Sequence, residues 1–277
     1  ISSGDLSARV KIKRKDEIGQ LGNAFNDMAS SIQEKIVELD TQNKKMLLEL
    51  KMAREVQRSI YPVIRKTEKF DIAIYHRPLI EVSGDYHDII PLGNNKYGVF
   101  IADVSGHGVS AALITMLIKN FIQRSAIKYK DSKEFMVFMN TEFSNLMDEY
   151  NSFFTAFYMI IDEKNIVCFS NASHLRPYLF KTNDNKMYEL NTNGGVIGMT
   201  EDFNKKFSSK KIALKSNDKI IFFTDGIIES QNKNEEMFDF KGLIKSIVKN
   251  NKYNCEIMLK NILNDFNDFI QHAIKSC

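Results

Sequence analysis

The sequence predicts a layered α+β domain, its sheets covered by helices, behind a long N-terminal helical segment. Three observations lead there. Apolar residues recur at heptad spacing between positions 29 and 60; pairs of short β-like runs are separated by three to five turn residues; and helical patterns fall in blocks between those pairs. A strict strand-helix-strand alternation, the signature of a nucleotide-binding parallel sheet, is not what this order gives, and neither a G-x-G-x-x-G after a strand nor a Walker A sequence is present.

Along the chain, the first ten residues are short and polar, with Gly4 and Asp5 as a turn signal. Asp16-Glu17-Ile18-Gly19 then leads into a helical pattern through Leu21, Phe25 and Met28. Ile32, Leu39, Met46, Ala53 and Ile60 recur every seventh residue, interleaved with Ala29, Ile36, Asn43, Leu50 and Gln57. This a/d seam, with Asn43 and Gln57 as polar a positions, predicts a parallel dimeric coiled coil, the alternative being a single amphipathic helix packed on its own domain, and Pro62 ends the helix. A strand follows at 97–104, then helices at 108–124, with Ala112, Met116 and Ile122 on one face, and at 133–148. Three hairpins are expected: 154–162 with 166–172, 178–181 with 187–190, and 211–214 with 219–223. Helices at 241–249 and 256–274 complete the chain.

Composition sets limits on function. Of 277 residues, 43% are hydrophobic and 26% charged, which excludes disordered and collagen-like classes. The longest apolar runs fall far short of the ~20 residues that span a bilayer, so the chain as given reads as soluble. A net charge of +3 is too slight to argue for nucleic acid as a partner. Three scattered cysteines, Cys168, Cys255 and Cys277, fit a reducing compartment. The chain starts at Ile1 with no signal-peptide pattern, as an internal piece of a longer protein would.

Three acidic residues stand out. Asp85 follows Ser83-Gly84 in an expected turn, Asp103 ends the apolar run 99–102, and Asp225 ends the run 220–223 just before Gly226. A carboxylate at the end of a buried strand is destabilising unless something neutralises it. If the three converge, their repulsion calls for cations, and an oxygen-only set suits Mg²⁺ or Mn²⁺ rather than zinc. Each taken alone also reads as a turn or cap residue.

Several strings resemble the SpoIIE/RsbU-type branch of the PPM metal-dependent serine/threonine protein phosphatases. They are Ala53-Arg54-Glu55-Val56-Gln57 through Tyr61-Pro62, Ser83-Gly84-Asp85-Tyr86, Ala102-Asp103-Val104-Ser105-Gly106-His107-Gly108, Phe154-Thr155-Ala156-Phe157, Asn171-Ala172-Ser173-His174 and Thr224-Asp225-Gly226. They occur in family order and cover about residues 53–277. Gly4-Asp5-Leu6-Ser7, Asp16-Glu17-Ile18-Gly19 and Phe25-Asn26-Asp27-Met28 resemble the second half of a HAMP domain, the relay that follows a membrane helix.

The resemblance implies an αββα sandwich, two antiparallel sheets flanked by helices, over 63–277, with a partial HAMP domain at 1–31 and a coiled-coil linker at 32–62. It implies two Mn²⁺ or Mg²⁺ ions and direct attack of water on phosphoserine or phosphothreonine. Carried over by motif, Asp85 binds one ion, Asp103 bridges both, Val104 offers its backbone carbonyl and Asp225 holds the other ion. These carboxylates form the catalytic set. Asp88, Asn171 and His107 are expectations for supporting roles, each with a plain packing alternative. The implied substrate is a phosphoprotein, in this family typically an anti-sigma-factor antagonist. The HAMP part places the chain as the cytoplasmic portion of an inner-membrane protein.

Two departures from the family pattern bear on activity. Asn-Ala-Gly-His-x-Pro reads Asn171-Ala172-Ser173-His174-Leu175-Arg176-Pro177 here. The Asp-Asp strand that family members carry after the last helix is missing, since the chain stops at Cys277, and Asp265 and Asp268 lie on an amphipathic helix and do not replace it. The sequence is therefore either a piece of a longer enzyme or a degenerate phosphatase fold that captures a partner. A nucleotide cyclase lacks support for want of any phosphate-binding loop.

Overall fold

The computed structural model describes residues 6–11, 16–62, 69–78, 81–147 and 152–271. The chain divides into two compact units, Ile1–Glu55 and Val56–Cys277.

Asp16 starts helix α1 (Glu17–Arg58), which belongs to the first unit as far as Glu55, by accepting the Gly19 N–H on Oδ1 at 3.2 Å. At ~1.5 Å per residue, its 42 residues span about 63 Å. The segment before the helix lies along it: Asn26 exchanges two hydrogen bonds with the Val10 backbone at 2.9 and 3.0 Å, and Arg9 reaches Ser30 at 3.1 Å. Ala29 is buried, whereas Ile32, Ile36, Leu39 and Met46 of the expected seam are 40–57% exposed. Gly4 and Asp5 lie outside the described residues.

The second unit holds two antiparallel sheets. Strands β1 (Asp85–Gly93), β2 (Lys96–Val104), β3 (Phe154–Ile161), β4 (Ile166–Ala172) and β7 (Lys210–Ala213) form one in the order β1-β2-β3-β4-β7. Strands β5 (Tyr178–Lys181), β6 (Lys186–Glu189) and β8 (Lys219–Ile221) form the other in the order β6-β5-β8. Period-two alternation sorts the side chains into three cores. Ile101, Phe157, Met159, Phe169 and Leu179 meet between the sheets. Tyr86, Phe100, Ala102, Val104 and Tyr158 face the other way, onto α2 (Val109–Ser125) and α3 (Ser132–Met147). Tyr178 and Phe223 pack on α4 (Asp225–Ile228), α5 (Asp239–Asn250) and α6 (Cys255–Gln271). Each fully buried aromatic contributes about 1.5–3 kcal/mol. The result is the αββα sandwich.

Two expected hairpins form, β3 with β4 and β5 with β6. The third does not: β7 pairs with β4 and β8 with β5, so the 214–218 link crosses between sheets. Ile212 and Leu214 enter the inter-sheet core from one sheet, and Ile220 and Phe222 from the other. Asp218 fixes the crossing turn, accepting the Lys215 N–H at 2.9 Å and the Thr182 N–H at 3.1 Å. A short link between apolar runs implies antiparallel neighbours only when both runs bury on the same sheet.

The long helix also ends earlier than Pro62, at Arg58. Gln57 and Ile60 do not continue a seam. Gln57 is 2% exposed inside the second unit, and Ile60 packs against its core. The expected 133–148 helix is described to Met147, and the 256–274 helix to Gln271; the residues beyond lie outside the described set.

Candidate functional site

Asp85 is not in a turn: it is the first residue of β1 and stands directly across from Asp103 on β2. The strand escapes a sequence reading because Pro91 and a bulge between Pro91 and Gly93 break its pattern, both tolerated because β1 is an edge strand. The pair shares its face with Ile101 and Phe157, at one end of the inter-sheet layer. From the second sheet, β8 runs on through Phe223 to Thr224 and Asp225. Thr224 donates its hydroxyl to Asp85 Oδ2 at 3.0 Å, and Asp225 opens α4. Elements from both sheets thus bring the three acids to one place.

The electrostatics record that convergence. Burial pushes Asp85 up to about 6; the Thr224 hydrogen bond partly offsets this and Asp225 adds to it. Burial pushes Asp103 up to about 7, reinforced by Asp85, Asp225 and Glu229 in that order. Every group acting on Asp103 pushes the same way, so a cation would relieve the cluster. Glu229, which caps the C-terminus of α4 four residues past Asp225, is an acid the sequence reading missed, with the i, i+4 spacing as its signal.

Backbone groups complete the surroundings. The Val104 N–H donates to the Gly84 carbonyl at 3.2 Å. A Cβ on Gly84 would sit 3.0 Å from the Val104 carbonyl oxygen, so only glycine lets that oxygen lie against the residue preceding Asp85. Gly106 and Gly108, at φ 90° and 81°, turn the chain from β2 into α2. Asp85 is further held by its own amide, which donates to Ser83 Oγ at 3.0 Å, and by its carbonyl, which accepts the Tyr61 hydroxyl at 2.8 Å. Gln57 clamps the same turn, donating to the Ser83 carbonyl at 2.7 Å and accepting the Ser83 N–H at 3.1 Å. Burial, with Asp85 nearby, raises the Tyr61 phenol far above its ordinary value and keeps it a donor.

The supporting expectations divide. Asp88 lies on the opposite face of β1 from Asp85, 4% exposed, where it pairs with Lys119 at 2.8 Å and accepts the Tyr86 hydroxyl at 2.9 Å; it serves the core. His107 is exposed and hydrogen-bonds to nothing among the described residues. Asn171 pins the next turn, accepting the His174 N–H at 2.7 Å and donating to its carbonyl at 3.0 Å. The His174 ring then meets the hydroxyl of Thr155, the residue opposite Asp103 on β3, at 2.9 Å. Burial lowers His174 to about 4, so the ring is neutral at pH 7. Ser173 sits at φ 56°, where the familiar glycine of this motif is unstrained, and its hydroxyl donates to the Gly194 carbonyl at 3.1 Å.

The donor chemistry suits a hard divalent cation: two cross-strand carboxyls raised by burial and by their neighbours, a backbone carbonyl beside them, and a third acid within electrostatic reach. Among the described residues, no group of three or more His, Cys, Asp or Glu side chains gathers tightly enough to hold one ion. A cation here would complete its shell with water, as Mg²⁺ commonly does.

Comparisons with known proteins agree with this architecture. The chain is similar to protein IcfG of Synechocystis sp., 25% identical over an alignment of 291 residues that covers 93% of this chain and 45% of that protein. It is also similar to the phosphoserine phosphatases RsbP and RsbU of Bacillus subtilis. RsbP is 29% identical over 65% of this chain and 45% of its own length, and RsbU 26% over 77% and 63%. The chain therefore spans about half the length of these relatives. The fold matches the SiaA-PP2C domain of Pseudomonas aeruginosa with a TM-score of 0.68 at 16% identity, covering 84% of this chain and 93% of that domain. The SpoIIE structure of Bacillus subtilis, a PP2C phosphatase domain with a regulatory fragment, gives 0.56 at 20% identity over 69% and 55%. The HAMP domain profile matches residues 1–34. With the profile described as Stage II sporulation protein E (SpoIIE) matching residues 93–275, the chain belongs to the SpoIIE family, preceded by a HAMP segment.

Proposed function

We propose that the chain is a metal-dependent phosphatase acting on phosphoserine or phosphothreonine of a regulatory protein. The observation that carries this reading is the cross-strand pair of Asp85 and Asp103, with Thr224 and Asp225 brought against it from the other sheet. In this reading Asp85, Asp103, the Val104 carbonyl and Asp225 would hold two Mn²⁺ or Mg²⁺ ions, Asp103 serving both. Bound divalent cations supply Lewis acidity, lowering the pKa of water and neutralising charge on phosphoryl oxygens. Asp85 is kept in place by Thr224, Ser83 and the Tyr61 hydroxyl. The names of RsbP and RsbU support phosphoserine as the substrate, and an anti-sigma-factor antagonist is the partner we infer. Purified protein with Mn²⁺ should release phosphate from a phosphoserine peptide, and Asp225→Ala should cut the rate about tenfold. No release by the parent protein, or an unchanged rate in the variant, would overturn it.

A second reading is a phosphatase fold that signals by binding alone. It is favoured by the lack, among the described residues, of any three-acid group able to hold an ion. Calorimetric titration with Mn²⁺ separates the two, since a scaffold has no need of the ion.

For control, we infer a parallel dimer joined through α1, whose residues Ile32, Ile36, Leu39 and Met46 are exposed in the single chain. No helix of the described residues is long and apolar enough to cross a membrane; the HAMP match supports a chain that works on the cytoplasmic side of one. The double variant Leu39→Asp, Met46→Asp should halve the sedimenting mass. An unchanged mass would remove the seam as the interface.

A further inference from the structure

Next to the acid site, but separate from it, lies a polar cavity of about 680 Å³ between the β4–β5 turn and the segment that follows β6. Its walls carry three cationic side chains, Arg176, Lys205 and Lys206, and, among the described residues, no carboxylate. The acid site has the opposite character, with Asp225 acting on Asp85, and Asp85, Asp225 and Glu229 all acting on Asp103. The two regions are joined by the Asn171–His174 turn: His174 contacts Thr155 opposite Asp103, while Asn171, Ser173 and His174 all border the cavity.

The cavity is built rather than incidental. The Asn171 N–H donates to the Thr192 hydroxyl at 2.7 Å, the Ser173 hydroxyl reaches the Gly194 carbonyl at 3.1 Å, and Asn193 exchanges hydrogen bonds with the Ser208 hydroxyl at 3.0 and 3.2 Å. The first two join the walls, and the last two anchor Asn193 to the chain that precedes β7. A non-glycine residue, Ser173, is held at φ 56° to make one of them. The cations meanwhile are loosely engaged. Arg176 pairs at 2.8 Å with Glu189, both half exposed; Lys205 is 3.9 Å from an equally exposed Asp202; and Lys206 lies 4.3 Å from the Phe203 ring centroid. Exposed pairs of this kind exchange readily for a better partner.

We propose that this cavity docks an acidic segment of the phosphoprotein substrate, with carboxylates on Lys205, Lys206 and Arg176 and its backbone on the side-chain amides of Asn191 and Asn193. The inference rests on the phosphatase reading for its substrate. It adds a source of specificity that the acid cluster cannot supply, since carboxylates flanking the phosphoserine are repelled by the cluster unless a basic surface receives them. Lys205 and Lys206 are exposed and can be reversed in charge without touching the core.

Two probes test it on the full chain: a fluorescein-labelled phosphoserine peptide with glutamates on both sides, and the same peptide with glutamines. By anisotropy the parent protein should bind the glutamate peptide about tenfold more tightly, with the preference fading as salt rises. The double variant Lys205→Glu, Lys206→Glu should abolish the preference while hydrolysing para-nitrophenyl phosphate with Mn²⁺ at the parent rate. Equal affinity of the parent protein for both peptides, or a preference that survives in the variant, overturns the docking site. Failure of the parent protein to hydrolyse para-nitrophenyl phosphate overturns the phosphatase reading instead, and the anisotropy still decides the docking site.

Discussion

Asp103→Asn should change activity and stability in opposite directions. Hydrolysis of a phosphoserine peptide should fall about 10³-fold, ~4 kcal/mol of barrier, because the variant removes the carboxylate that the proposed reading assigns to both cations. The metal-free protein should become more stable at pH 8. Asp103 titrates at about 7 in the folded chain against 3.8 unfolded, from burial first and then Asp85, Asp225 and Glu229. A carboxyl with a raised folded pKa stabilises the fold fully below its unfolded pKa and loses that contribution as pH rises through the folded value. The metal-free parent should therefore lose stability between about pH 4 and pH 7, and the asparagine variant should show a flatter profile. With the site open to solvent, the gain at pH 8 is about 1–2 kcal/mol. Thermal unfolding in chelator across this range measures it. A variant less stable than its parent at pH 8 would mean that Asp103 is held by something other than charge repulsion.

The sequence reading reached the three acids and the two-sheet architecture but misplaced what lies around them, for identifiable reasons. Asp103 and Asp225 end uninterrupted apolar runs, so their positions at strand ends were legible. Asp85 read as a turn residue because His87, Asp88 and Pro91 obscure an edge strand. Pairing across β1 and β2 is a long-range fact that no local pattern encodes. Asp88 was expected in a supporting role, yet a three-residue separation from Asp85 on a strand puts it on the opposite face, where Lys119 meets it. The 211–214 and 219–223 runs looked like a hairpin because sequence shows the length of a link and not which sheet each run buries against. Thr224 and Tyr61 stood inside quoted motifs, but their hydrogen bonds to Asp85 depend on chain elements 139 and 24 residues away.

Gln57 shows most clearly how one residue can satisfy two patterns. By heptad count it is an a position of the coil. In the folded second unit it is buried, donating to the Ser83 carbonyl at 2.7 Å and to Thr115 Oγ1 at 3.1 Å while accepting the Ser83 N–H. Gln57→Leu keeps roughly the same volume and removes three hydrogen bonds, leaving the partly buried Ser83 backbone groups without these partners. A fully buried orphaned group costs about 1–3 kcal/mol; with Ser83 only partly buried, a net loss of about 1–3 kcal/mol in all is expected. The loss should not stay local. Ser83 Oγ accepts the Asp85 N–H, so the turn that Gln57 clamps is the one that sets Asp85 against Asp103. The variant should therefore bind Mn²⁺ about tenfold more weakly at a temperature where it remains folded. Calorimetry of Mn²⁺ binding alongside urea unfolding distinguishes the cases. Lower stability with unchanged Mn²⁺ affinity would make Gln57 a packing residue; lower affinity in the folded state would make the last turn of α1 part of what positions the site. Because α1 is unbroken from Glu17 to Arg58, that turn is covalently continuous with the HAMP segment, and a residue that first read as a device for pairing two chains becomes the clamp on the turn that leads into Asp85.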